Sequence, residues 1–391
     1  MSHHPSWLCR QAALAVCAAG AFVSYSYCTI AATNEDIGRA PLADKLGAAL
    51  PTGVGVPVMQ VEAVFEGGTL MELDPEFLGK TLTMRTPIAA AGWHALNVGK
   101  IFYGLNSSIA PGITQIELYD TNGLNGFMGP GLLNAGAGTN PLVSSQHSRV
   151  ANHSWVGRTM EPLDVLERVD WLVERDDMVH VVAVHNISGL INPLLSNSMN
   201  SISVGVSNGN HETVALSLGG IYTANRTRPE IVAPAGATSF AAPMISAAAA
   251  TLIGVGHSQP ALSQNQFYKS PRTGEIIYHA ETSEVIKAAL LAGASRQAFN
   301  SDGSIIYGYR GAASTESDNG LDTRYGAGQV NLQNSYFILA AGEQKSLQDG
   351  GRALNSADGF HYDANFGGAN GSNSTATYDF VAGWTGQTLT A

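Results

Sequence analysis

The segment Ala237 to Pro243 reads ATSFAAP and places a serine at the mouth of an alanine-rich run, Phe240 to about Gly254, that carries almost no charge. A run of that length and character predicts a helix buried on all sides. Pro243 fits its first turn, where a missing backbone donor costs nothing. Ser239 therefore sits where free N–H groups and the helix dipole favour negative charge on a bound group, a suitable place for a nucleophile. Ser239 or Thr238 could equally serve as an ordinary N-cap, a role both residue types fill well. Choosing between the two depends on whether the chain supplies a base, an orienting acid and an oxyanion donor.

Several segments read as elements that could carry such groups. Val56 to Val61, VPVMQV, reads as a buried strand ended by Glu62; Gln115 to Tyr119, Arg149 to Ser154 and Val179 to Val184 read as further strands. Leu163, Leu166, Val169 and Val173 give Glu161 to Glu174 a helical face, and Leu42 to Leu50, ended by Pro51, predicts a short helix. Helices alternating with apolar strands imply an α/β fold with a mostly parallel sheet covered on both faces. Such sheets carry working residues at the carboxyl ends of strands, the positions of Glu62 and Asn186.

The chain has 391 residues, enough for a large domain and a smaller one. Its net charge of −11 argues against nucleic acid or an anionic membrane as the main partner. Arg10 precedes an apolar stretch, Ala12 to about Tyr27, and small residues follow at Ala31 and Ala32. That is the form of a secretory signal, expected over 1–32, with an uncleaved anchor as the competing reading. Cys9, Cys17 and Cys28, all three cysteines, lie inside it, so a chain starting near Thr33 has neither disulfide nor thiol nucleophile. After Leu339 the texture changes. Glu343 to Asn373 is rich in Gly, Asn, Ser and Asp, and Ala376, Tyr378 and Phe380 then alternate with polar residues as in a half-exposed strand. The expected organisation is a signal (1–32), an N-terminal segment (33–52), a large α/β domain (53–340) and the start of a small β domain (341–391).

Four segments, in order, resemble the subtilisin-like serine proteases, the subtilases. That family carries Gly-Thr-Ser-x-Ala-x-Pro around its serine, and here only the leading glycine differs, with Ala237 in its place. RPEIVAP, Arg228 to Pro234, is similar to the family's lead-in to the serine. Trp93, His94 and Ala95, followed by VGKIFYGLNSSIAPGI, look like its histidine helix and the Ala-Pro-Gly turn after it. VVAVHN, ending at Asn186, resembles the strand bearing the oxyanion asparagine, with His185 where the family has glycine. Asn152 to Gly157, NHSWVG, resembles the segment that pairs with a peptide substrate. By this resemblance Ser154, Trp155, Val156 and Gly157 bind substrate. EVIKAALLAGA and RYGAGQVN look like the end of the catalytic domain, so the likeness runs from about Gly53 to Tyr336.

The resemblance implies a three-layer subtilisin-like sandwich and a secreted or periplasmic endopeptidase that forms an acyl-enzyme on Ser239. His94 is then the general acid and base, and Asn186 with the Ser239 N–H holds the oxyanion. Aligned with the family, Glu62 stands in place of the catalytic aspartate, 32 positions before His94; Asp74 is an alternative acid, and a degraded triad another reading. No cofactor is required. Many relatives bind calcium structurally, but no ligand-rich loop is assignable to it here. Protein or peptide substrates and a monomeric state are expected, with no nucleic-acid partner and no membrane span once the signal is removed. Two competing functions stay open: an inactive fold that binds peptides or surface partners, and a sedolisin-like acid peptidase.

Overall fold

The computed structural model describes residues 36–380 except 64–71, 87–91, 122–124, 130, 137–146, 156–162, 188–194, 216–220, 223, 225, 272, 297–319, 355–357, 365 and 368–373. The proposed signal, its cysteines, Val156, Gly157 and residues 381–391 lie outside the described residues.

Among the described residues seven strands form one sheet: β1 (Val58–Glu62), β2 (Thr81–Met84), β3 (Gln115–Asp120), β4 (Val150–His153), β5 (Val179–Ala183), β6 (Ile202–Val206) and β7 (Ile231–Ala233). Their spatial order is β2-β3-β1-β4-β5-β6-β7, and every ladder is parallel. All carboxyl ends therefore open on one edge, and Glu62 is the last residue of β1, as its position after VPVMQV predicts. Each residue of β1, β4, β5 and β6 is buried, which explains why these strands read as continuous apolar runs without alternation.

The two faces are filled by different helices. One is covered by α2 (Trp93–Tyr103) and α4 (Thr238–Ser258), whose Ile245, Ala249 and Leu252 join Val58, Val181 and Val204 in the main core. Although α4 has the length and apolarity of a membrane span, most of it lies inside this core. The other face meets α3 (Leu163–Asp176), whose Val165, Val169 and Leu172 pack on Met59, Val61, Ala151 and Val182. The even–odd alternation along β1 thus sends Val58 to one layer and Met59 and Val61 to the other.

Smaller elements complete the fold: α1 (Arg39–Leu46), the hairpin β8 (Phe267–Lys269) and β9 (Ile276–Tyr278), α5 (Ser283–Gly293) and α6 (Leu332–Ala340). Helix α1 begins and ends earlier than Leu42 to Leu50, and Gly47–Ala49 continue as a 3₁₀ turn before Pro51. Strands β2, β6 and β7 are additions to the elements read from the sequence. Beyond α6 the chain stays on the α/β body, where Glu343 N–H donates to Leu262 O and Phe360 enters the main core. Residues 376–380 show the expected alternation, with Ala376, Tyr378 and Phe380 half-buried and Thr377 and Asp379 exposed. Among the described residues their one β contact is an isolated bridge from Phe380 to Leu354.

Candidate active site

Strand β1, the first turn of α2 and the first turn of α4 bring Glu62, His94 and Ser239 to the carboxyl edge of the sheet. Glu62 is 2 % exposed, and its Oε2 lies 2.9 Å from His94 Nδ1. An ionised carboxylate only accepts, so this contact fixes the proton on Nδ1 and leaves Nε2 of the neutral ring with a free lone pair. Burial pushes the Glu62 carboxyl above its usual range, while the bonds from His94 and Gln60 act against that rise. His94, half exposed, is raised above 6.5, chiefly by its bond to Glu62 and against partial burial. Asp74 does not reach His94; it pairs with Lys100 at 2.7 Å and accepts from Glu76 N–H.

At the head of α4 the N-cap is Ala237, and no side chain of its own segment caps the helix. The cap comes from across the site instead. Asn186 Oδ1 accepts the Thr238 N–H at 2.8 Å, and the Thr238 hydroxyl donates to Val184 O at 2.6 Å. Because a backbone N–H can only donate, the amide oxygen of Asn186 must face the helix and its NH₂ must face away. Phe240 and Ala241 N–H both bond Ala237 O, which leaves the Ser239 N–H as the donor of this turn with no hydrogen-bond partner among the described residues. Capping is thus not the role of the Ser239 hydroxyl. No hydrogen bond joins Ser239 Oγ to His94.

The segment after β4 is tied to the same turn. Ser154 Oγ donates to Ser239 O at 2.8 Å and accepts from Asn152 Nδ2, whose own Oδ1 accepts from Ser246 Oγ on α4. The Ser154 hydroxyl is therefore spent on the scaffold. Trp155 follows, nearly buried. His185 turns its ring onto its own loop, where Nδ1 accepts the Ile187 N–H at 3.0 Å. On the open side Trp93, 72 % exposed, meets Phe240 edge-on at 6.1 Å, and Phe240 lies 5.7 Å from the His94 ring.

A model of the Subtilase family matches residues 80–328, more than half the chain. The chain belongs to the subtilase family. The match takes in His94, Asn186 and Ser239 and begins beyond β1, so Glu62 lies outside it. Among solved structures, this subtilase is similar to the prenylagaramide maturation protease PagA, at 15 % identity and a TM-score of 0.46 over 76 % of this chain and 98 % of that one. The self-cleaved protease domain of PatA is similar at 15 % identity and a TM-score of 0.44, over 73 % and 97 % of the two chains. No curated protein sequence matches the subtilase significantly.

Sequence reading did not single out Gln60 or Tyr103, which complete the surroundings of the acid. Gln60 was findable, as a lone polar residue in an apolar strand two positions before Glu62 and hence on the same face. Tyr103, at the far end of α2, carried no comparable signal.

Proposed function

We propose that this subtilase is an exported serine endopeptidase. Ser239 attacks the scissile carbonyl, His94 Nε2 takes the hydroxyl proton and returns it to the leaving amine, and Glu62 holds the imidazole in the required tautomer. The Ser239 N–H and the outward-facing Asn186 amide receive the oxyanion, a contribution of about 3 to 4 kcal/mol per donor. The segment from Ser154 through Gly157 pairs with the peptide. Residues 1–32 direct export to the cell surface, periplasm or medium. The reading needs no cofactor and treats the protein as a monomer.

The single observation that carries this reading is the 2.9 Å contact between His94 Nδ1 and buried Glu62 Oε2. That contact also disfavours a sedolisin-like scheme, in which glutamate rather than histidine serves the serine. The test is labelling of the protein from Thr33 onward with a fluorophosphonate probe, beside Ser239→Ala. Labelling of wild type alone is expected, and labelling that persists in Ser239→Ala rejects the proposal.

A peptide-binding but inactive fold is the second reading, favoured by the lack of a hydrogen bond from Ser239 Oγ to His94. Such bonds are often long in unliganded enzymes and tighten with substrate. Wild type that binds peptide yet takes no label decides for the second reading.

A further inference from the structure

The side chain of Gln60 makes three hydrogen bonds, with both of its donors engaged, along a line from α2 to the acid. Its Nε2 donates to Glu62 Oε1 at 3.0 Å and to Ala95 O, the residue after His94, at 2.9 Å. Its Oε1 accepts from Tyr103 Oη at 2.6 Å. Since an ionised carboxylate and a backbone carbonyl only accept, a flipped amide would lose both Nε2 bonds, and with Nε2 so placed Oε1 takes the Tyr103 proton. All three groups are buried.

Gln60 therefore holds both members of the Glu62–His94 pair at once, the carboxylate directly and the histidine through the backbone of its own helix. Glu62 Oε1 and Oε2 are then each engaged, one by Gln60 and one by His94, so rotation of the carboxylate breaks two bonds. The helix leaves room for this arrangement at Gly99. A Cβ there would lie 2.7 Å from Tyr103 Oη and 3.2 Å from Gln60 Oε1. On a central strand otherwise filled by Val58, Met59 and Val61, an apolar residue at position 60 would satisfy packing without any partner.

We propose that Gln60, oriented by Tyr103, is a positioning residue that fixes the carboxylate of Glu62 against His94 and so holds His94 in its Nδ1–H tautomer. The proposal rests on Glu62 and His94 acting as a pair in the proposed peptidase.

The test compares wild type with Gln60→Met, which keeps the volume and removes the donors, and with Tyr103→Phe, which releases the amide. The first readout is the tautomer of neutral His94, taken from imidazole ¹⁵N shifts of histidine-labelled protein and assigned with His94→Gln. Wild type is expected to show the Nδ1–H form, Gln60→Met a mixture with the Nε2–H form, and Tyr103→Phe a smaller change in the same direction. The second is turnover. In Gln60→Met, kcat is expected to fall about 10- to 100-fold with KM within about twofold, since one charge-assisted bond is lost. Tyr103→Phe is expected to lower kcat alone but to add less than about twofold on top of Gln60→Met.

A folded Gln60→Met with unchanged tautomer and unchanged kcat overturns the proposal. If that variant does not fold, an unchanged tautomer in Tyr103→Phe does so. Protein that proves inactive as wild type refutes the proposed function separately, because the ¹⁵N readout needs no turnover.

Discussion

Asn186 Oδ1 caps the helix that carries Ser239, accepting the Thr238 N–H at 2.8 Å from the far side of the site. The bond does two things together. It satisfies the first N–H of α4, which no residue of the segment itself caps, and it turns the Asn186 NH₂ away from the Thr238 N–H.

These two functions of Asn186 are separable. In Asn186→Asp the carboxylate still accepts from Thr238 but has no N–H to offer an oxyanion. The melting temperature should stay within about 2 °C of wild type while kcat falls about 10²- to 10³-fold. In Asn186→Ala the same loss of kcat should come with a stability loss of about 1 kcal/mol, the usual cost of a cap. Thermal unfolding and turnover on one peptide substrate check both.

The protonation of His94 sets the pH profile. Glu62 holds its pKa above 6.5, and a raised histidine pKa stabilises the folded state below 6.5, an effect lost as pH rises through the folded value. Catalysis needs the free base, so kcat/KM should rise with pH along a limb centred above 6.5. Glu62→Gln removes the cause of the shift. The residual activity, lower by about 10³- to 10⁴-fold, should show its limb moved down toward 6.5. A pH series of kcat/KM on both proteins measures it.

What the sequence made readable follows from the kind of constraint involved. A buried parallel strand announces itself by composition, so β1, β3, β4 and β5 lie within a residue or two of the ranges read for them, while the apolar run read from Phe240 to about Gly254 falls inside α4, which runs on to Ser258. Strands β6 and β7 were not found, because ISVGV carries Ser and Gly and Ile231–Ala233 is three residues long. Ser239, His94 and Asn186 stood out through their segments. The trans cap from Asn186 to Thr238 did not, because it joins residues 52 apart and depends on which end of an amide faces the helix. The link from Tyr103 to Gln60 spans 43 residues and was hidden for the same reason.

A pair of buried histidines predicts acid lability. His153 and His180, on adjacent strands, face each other at 3.1 Å between Nε2 and Nδ1 beneath the ring of Phe127. Burial holds His180 down to about 3, and burial with the neighbouring imidazole lowers His153 strongly. The unfolded chain binds those protons more readily, so stability present above 6.5 is lost as pH falls below it. For His180 alone the loss is about 2 kcal/mol by pH 5. The double variant His153→Leu/His180→Leu should flatten the decline of denaturation midpoint between pH 7 and 5, and an identical slope in wild type and variant would remove these residues as the cause.

Glu62→Asp tests whether the site has adapted to its longer acid. If glutamate were a decayed aspartate, restoring aspartate would raise activity. The geometry argues the reverse. Both carboxylate oxygens are already engaged at ordinary hydrogen-bond lengths, 2.9 Å to His94 and 3.0 Å to Gln60, with the backbone of β1 held in ladders on both sides. Removing a methylene withdraws the carboxylate by about 1.5 Å, beyond hydrogen-bond reach of His94 unless β1 or α2 moves. The strand is pinned by β3 and β4, and α2 by Gln60 through Ala95 O. Glu62→Asp is therefore expected to lower kcat by about 10²-fold, a change of the size that follows from misplacing a catalytic contact by an ångström. It should also lower the pKa of His94, because the bond that raises it is lengthened. Activity equal to or above wild type would show that the strand gives way and that the site is not built around glutamate.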